Sequence, residues 1–123
     1  MAFAEYYWDV SGRALQSGMT EELKALSTDC VPCDEYVRLI DADAKKGRHA
    51  DINPSQVTSA KITDQTDGKS DKAVTLAVED KAYKVVDSQG QTHGRAKAVD
   101  YDVIIYLDWK DSGWTVVDDF VLT

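Results

Sequence analysis

The amino-acid sequence predicts an α+β fold, with three N-terminal helices packed on a curved antiparallel sheet of about four strands. Apolar residues recur every three or four positions in roughly the first third of the chain and every second position in the later part. Short turns rich in Gly, Asp and Ser separate the alternating segments, which favours antiparallel neighbours. Because no linker, repeat or low-complexity tract is visible, we expect residues 1–123 to form a single domain.

Three helical patterns come first. One covers Ala2–Ser17 and is followed by Gly18, a common residue after the last turn of a helix. A short second helix is expected after Thr20, which is a suitable N-cap, and a third over residues 33–46. The apolar stripe of the first helix, which includes Tyr7, is expected to pack against the inner faces of the last two strands.

Four strand patterns follow, at residues 57–65, 73–86, 92–109 and 114–122. The first is polar and is expected near a sheet edge. An Asp-Gly loop at 66–71 separates the first two patterns, and a turn at 87–91 separates the next two. Gly94 is a candidate position for a bulge.

The closing stretch, residues 101–123, is the most regular part of the chain. Odd-numbered positions from Tyr101 to Trp109 are apolar, as a strand with one buried face requires. A turn that ends at Gly113 leads into the returning strand. Asp118 and Asp119 interrupt its alternation, which predicts a bulge or a change of exposed face.

Composition narrows the classes of function. The net charge of −8 and the pI of about 4.6 argue against binding to nucleic acid or to anionic membrane surfaces, which require positive patches. No apolar run approaches the roughly 20 residues of a membrane helix, so no transmembrane segment is expected. The N-terminal residues also lack the basic start and apolar run of a signal peptide.

The sharpest local motif is Cys30-Val31-Pro32-Cys33. A thioredoxin-type redox pair would need a preceding strand, whereas helical patterns come before this motif. A zinc site would need four ligands, and only His49 and His93 could add to the two cysteines. We therefore expect a structural disulfide that closes the turn between the second and third helices. No metal site and no cofactor are predicted.

Acidic residues are frequent in the last quarter of the sequence: Asp100, Asp102, Asp108, Asp111, Asp118 and Asp119. A calcium loop would place several oxygen ligands within one tight turn, whereas these residues are spread along strands. We therefore interpret them as a face that is solvated or that protects a sheet edge.

The opening helix rich in Tyr and Phe, the short second helix and the ending Gly113-Trp114-Thr115-Val116 carry a first family resemblance. In these features and in its order of elements the chain resembles the nuclear-transport-factor-two-like superfamily of cone-shaped (SnoaL-like, cystatin-like) folds. Other motifs carry a second one: Tyr6-Tyr7, the connector Ala25-Leu26-Ser27, and the Cys30–Cys33 motif followed by Asp34-Glu35-Tyr36. In these the first half resembles an actinobacterial family of surface lipoproteins of unknown function. That second resemblance implies an exported domain whose lipid attachment site would lie before Met1.

The superfamily resemblance implies a pocket between the helices and the sheet. By analogy with ketosteroid isomerase, such a pocket can hold a carboxylate base and a tyrosine donor. The candidate pocket residues are Tyr6, Tyr7, Asp102, Trp109 and Trp114. No motif assigns a catalytic role to any of them.

Two functions follow as hypotheses. The first is a non-catalytic extracytoplasmic binding or accessory domain that takes a small molecule in the pocket, or a protein partner or second copy on its sheet face. The alternative is a small SnoaL-like isomerase, cyclase or hydrolase that uses a pocket carboxylate and a tyrosine.

Overall fold

The computed structural model describes residues 1–63 and 68–122. The helices of this part of the chain are α1 (Ala2–Ser17), α2 (Glu21–Ala25) and α3 (Val31–Lys45). Its strands are β1 (His49–Ala50), β2 (Ser55–Thr63), β3 (Lys72–Asp80), β4 (Tyr83–Val86), β5 (Thr92–Ala96), β6 (Val99–Lys110) and β7 (Gly113–Leu122). The predicted α+β class and the order of helices before sheet are confirmed. The last two residues of the first predicted strand, 64 and 65, the expected loop residues 66 and 67, and Thr123 lie outside the described residues.

The strands form two sheets. Four antiparallel strands in the order β2-β3-β6-β7 make the main sheet, and β1-β4-β5 make a small second sheet. The main sheet has the four strands that were expected, and the small sheet was not predicted.

Two of the predicted strands were too long. The predicted strand 73–86 is interrupted at Lys81-Ala82, and the predicted strand 92–109 is interrupted at Lys97-Ala98, so each forms two strands. The two breaks lie opposite each other, because the β3–β6 ladder ends at Asp80 and Val99 while the β4–β5 ladder starts at Tyr83 and Ala96. A single long hairpin therefore bends sharply, and its outer half leaves the main sheet to pair with β1. Its register shifts between Val85 and Val86, close to the bulge expected at Gly94.

Helix ends follow the expected chemistry with two corrections. Gly18 ends α1 with φ of 77°, a left-handed conformation that suits glycine. Helix α3 begins at Val31, two residues earlier than predicted, because Cys30 caps it and Pro32 fits its first turn. Thr20 precedes α2, but its hydroxyl donates to Asp41 at 2.8 Å instead of capping the helix. Thr20 therefore ties α2 to α3.

The core lies between the helices and the concave face of the main sheet. Its largest fully buried side chains include Leu23 of α2, Leu76 of β3, and Ile105 and Leu107 of β6. Helix α1 lies chiefly against β1 and β2, and α3 lies against β7. The main neighbours of α1 are therefore not the last two strands as expected, although Trp8 reaches Tyr101 of β6 and Tyr7 lies close to Asp119 of β7. A glycine at position 12 of α1 allows this approach, since a side chain there would overlap Asn53 just before β2.

The β6–β7 hairpin contains the predicted irregularity. Tyr106 pairs with Asp118 and Leu107 pairs with Val116, so Val117 is an extra residue in β7. Beyond this bulge the alternation is reversed, and Asp119 and Val121 face the helices. Trp109, which the alternation placed on the buried face, is 54% exposed at the end of β6.

Candidate ligand-binding site

A cavity of about 260 Å³ opens between the helices and the concave face of the sheet. This is slightly smaller than the roughly 300 Å³ at which pockets for drug-sized ligands begin. Its apolar wall contains Leu15 of α1, Pro32 of α3, Pro54 before β2 and Val121 of β7. The cavity therefore has contributions from both helical and sheet layers and suits a small ligand.

Five aromatic side chains dominate the lining: Tyr7, Trp8, Tyr36, Tyr83 and Tyr101. Tyr7 and Trp8 are consecutive on α1, with ring centroids 6.4 Å apart. Trp8 also meets Tyr101 of β6 edge to face, with centroids 6.3 Å apart. The Trp8 indole nitrogen is buried and, among the described residues, forms no regular hydrogen bond, although it lies close to the Tyr101 hydroxyl.

Asp80 forms the first polar centre of the cavity. It ends β3, and its carboxylate accepts hydrogen bonds from the Tyr101 hydroxyl at 3.0 Å and from the Ser55 hydroxyl at 2.9 Å. These bonds fix the orientation of the carboxylate and of the Tyr101 ring. Because β2, β3 and β6 are neighbours, the sheet register brings the three residues together.

Asp119 forms the second polar centre. Burial, and to a smaller extent the neighbouring charge of Asp118, raise its pKa to about 6. Its carboxylate lies 3.9 Å from the sulfur of Cys33 and close enough to Tyr7 to raise the pKa of that phenol. Among the described residues no ion pair neutralises it.

The tyrosines of the cavity stay protonated. Burial is the main cause that raises the phenol pKa of Tyr7, Tyr36 and Tyr101. The Asp80 charge adds to this effect at Tyr36 and Tyr101. Tyr36 donates to the Ser11 carbonyl at 3.0 Å, which holds α3 against α1. These hydroxyls are therefore hydrogen-bond donors at neutral pH.

Of the residues expected to form the pocket, Tyr7 lines the cavity and the others lie elsewhere. Tyr6 is 44% exposed on the outer side of α1, where its hydroxyl donates to Glu22. Asp102 is exposed, in a shallow depression on the opposite face of the sheet. Trp109 and Trp114 stack edge to face, 5.1 Å apart, at the end of the sheet. The structure does not bring these four residues to the cavity.

The main residues that the sequence interpretation missed are Trp8, Tyr36, Asp80, Tyr83, Tyr101 and Asp119. Tyr101 was recognised as inward-facing, but nothing in the pattern distinguishes a pocket wall from a filled core. Asp119 was assigned to a solvated face, which is wrong. The bulge at Val117 turns it inward, and the predicted change of face was the signal that could have identified it.

Cys30 and Cys33 form the predicted disulfide. Both residues are buried, with 0% and 2% of their surface exposed, so an attacking thiolate has no direct access to the bond. The two sulfurs and the Asp119 carboxylate lie within 4.8 Å of one another. In the described part of the chain, they are the cluster of side chains whose types and spacing could in principle hold a metal ion. Because the two sulfurs are bonded to each other, they are not metal-binding thiolates in this state.

No family model and no curated protein matches the chain. Solved structures do match it. The intermembrane space region of chloroplast protein ARC6 is 15% identical, with 99% of this chain and 92% of that chain covered and a TM-score of 0.71. Aln2 from a Streptomyces species is 9% identical, with coverage of 98% and 87% and a TM-score of 0.56. A protein of unknown function with a cystatin-like fold from Nostoc punctiforme is 13% identical, with coverage of 98% and 85% and a TM-score of 0.49.

At these identities the similarity concerns the fold alone. The topology and the similar structures confirm the α+β fold, with helices packed on an antiparallel sheet. Among the described residues, none of the helices has the length and apolar character needed to cross a bilayer.

Proposed function

We propose that this chain is a non-catalytic binding domain that holds a small molecule in the cavity between its helices and its sheet. The observation that supports the proposal is the lining itself, with five aromatic rings and two carboxylates around about 260 Å³. An apolar cavity with a few convergent polar groups is the usual form of a small-molecule site.

The position of the polar groups adds support. Asp80 is held by two hydrogen bonds, so its free lone pairs point in a fixed direction. The buried Trp8 N–H forms no regular hydrogen bond among the described residues, although an unsatisfied buried donor is costly. The Tyr101 hydroxyl lies close to this N–H, and a ligand acceptor that reached it would satisfy it.

The test is a ligand screen that follows the indole N–H signals by nuclear magnetic resonance. A ligand of the cavity should shift the Trp8 signal and leave that of Trp109, which lies at the end of the sheet, unchanged. The variant Tyr36→Leu, which removes one wall, should weaken binding, while Tyr6→Leu on the outer side of α1 should not. If no small molecule perturbs the Trp8 signal, the proposal is wrong.

A second candidate function is a small isomerase, cyclase or hydrolase. Asp119 favours it, because a carboxylate with a pKa of about 6 beside a tyrosine is suited to moving a proton at neutral pH. Asp119 would act as general base, and Tyr7 would donate a hydrogen bond to the developing oxyanion. Turnover of an enolisable ketone or lactone that is lost in Asp119→Asn would establish it. Binding of such compounds without turnover would favour the first proposal.

We also propose that the domain works outside the cytoplasm, as the resemblance to surface lipoproteins implies. The disulfide supports this location, since such bonds persist in oxidising compartments. Quantification of free thiols in protein extracted from its native cells under alkylation would test it. A reduced pair in the cell would contradict an oxidising location.

A homodimer or protein partner on the outer face of the sheet is a further proposal. Phe120 and Leu122 are exposed there, and Phe120 pairs with Ile104 across β6 and β7. The variant Phe120→Ser should lower the molar mass measured by light scattering if a second copy covers this face. A monomer in both proteins would leave a different partner as the occupant.

A further inference from the structure

We propose that the cavity selects a small organic cation, an amine or a quaternary ammonium group, over a neutral molecule of the same shape. The inference specifies the ligand class of the cavity and therefore rests on the proposed function above. It follows from the charge of the lining, the aromatic walls and the field of the whole chain.

The lining contains negative charge without compensation. Asp80 and Asp119 are its ionisable acidic groups, and no Lys, Arg or His side chain contributes to it. Among the described residues, neither carboxylate forms an ion pair. The sheet register separates the two groups, because Asp80 pairs with Val99 and Asp119 pairs with Ile105 farther along β6. Each carboxylate therefore attracts a cation to its own part of the cavity.

The walls provide the second kind of interaction that cations use. A cation is attracted to the negative face of an aromatic ring within about 6 Å, and several rings around one cavity recognise ammonium groups. Trp8, the best aromatic partner for a cation, stands beside Tyr7 and Tyr101. An anionic ligand would meet the same surfaces with repulsion from both carboxylates.

The charge of the rest of the chain also favours a positively charged ligand. The net charge of −8 produces a negative potential that raises the local concentration of cations. Arg13 is a positive side chain on the helix that carries Tyr7 and Trp8, but it pairs with Asp9 and Glu22 on the outer side of α1. It is therefore not available to the cavity as a counter-charge.

Binding should also depend on pH through Asp119. Among the described residues, Asp118 on its own strand acts on this carboxylate, and Tyr7 of α1 lies close to it. Tyr36 and Asp34 of α3 in turn act on Tyr7. The disulfide sulfurs beside it do not titrate. Each of these neighbours is acidic or a phenol, so the carboxylate ionises above about pH 6 without a positive partner.

The experiment compares choline with 3,3-dimethylbutan-1-ol, its neutral isostere, by calorimetric titration at a pH well above and a pH well below 6. We expect choline to bind about tenfold more tightly or better at high pH. The preference should shrink at low pH as Asp119 is protonated. Asp119→Asn should reduce the preference and its pH dependence. Asp102→Asn, which removes the same charge from the opposite face of the sheet, should leave both unchanged.

The outcomes separate the two proposals. If the neutral alcohol binds as tightly as choline, the cavity is a small-molecule site but the preference for cations is wrong. If neither compound binds and the Trp8 signal responds to no amine or alcohol, both the cation inference and the proposed function fail. A preference for choline that Asp102→Asn abolishes and Asp119→Asn does not would also overturn the inference, because it would place the cation on the outer face.

Discussion

Replacing Asp119 with asparagine should stabilise the protein at neutral pH. In the folded chain the pKa of this carboxyl is raised to about 6 from its usual 3.8, chiefly because burial removes water from the charged form. The folded state therefore binds a proton more readily than the unfolded state does. Asparagine has the shape of the protonated acid without its titration, so it removes only the cost of ionisation.

The sign and size of the effect follow from proton linkage. Because the folded pKa is the higher one, the stability associated with Asp119 is fully present below pH 3.8 and is lost as the pH rises through about 6. Each pH unit between the two values corresponds to about 1.36 kcal/mol. Asp119→Asn should therefore raise the free energy of unfolding at pH 7.5 by at most about 3 kcal/mol, and by nearly nothing at pH 4.

Urea unfolding of both proteins across this pH range measures the difference directly, since the other carboxyls titrate in both and cancel. Asp118→Asn is the matched control on the exposed side of β7, and it should change stability far less. A variant that is less stable than the parent at pH 7.5, or a difference that does not depend on pH, would refute the assignment of Asp119 as a buried carboxylate without a positive partner.

Three further changes test the rest of the structure. Tyr36→Phe removes the hydrogen bond to the Ser11 carbonyl and should cost about 1 kcal/mol in urea unfolding, whereas Tyr6→Phe on the surface should have no measurable effect. Leu107→Ala should lower the unfolding free energy by about 2–5 kcal/mol, because Leu107 is fully buried. Trp109→Ala should lower it by less, because Trp109 is 54% exposed, and equal losses would contradict this exposed position. Double replacement of Cys30 and Cys33 by alanine should lower the unfolding free energy by about 2 kcal/mol, as expected for so short a loop, and a loss of folding would show that the disulfide does more than close the turn.

Much of the architecture could be predicted because it depends on local periodicity. The limits of α1 and the face of β6 from Val103 to Leu107 follow from spacings of about 3.6 and 2 residues. The disulfide follows from the spacing and context of Cys30 and Cys33. These features need no knowledge of distant parts of the chain.

What could not be predicted depends on contacts between distant segments. The break at Lys81-Ala82, which ends β3 and separates it from β4, has no strong signal in the local sequence. It depends on the pairing of β4 with β1 and β5 in the small sheet. The cavity likewise depends on Asp80, Tyr36 and Asp119, which come from three elements. Whether inward-facing aromatics fill the interior or line a space depends on how far α1 and α3 stand from the sheet, and no sequence pattern encodes that distance.

The bulge at Val117 is the point where fold and function are hardest to separate. Without the extra residue, the regular alternation that places Val116 in the core would place Asp119 on the outer face and Asp118 inside. With the extra residue, Asp119 enters the cavity, where its carboxylate lies close to Tyr7 and to the Cys33 sulfur.

Packing does not require a carboxylate at position 119, since an asparagine of the same size would avoid the cost of ionisation. A charge that lowers stability and faces an aromatic cavity is the kind of group that ligand or substrate binding retains. The same variant, Asp119→Asn, therefore decides between a structural and a functional role, because a functional role requires that it gain stability and lose binding together.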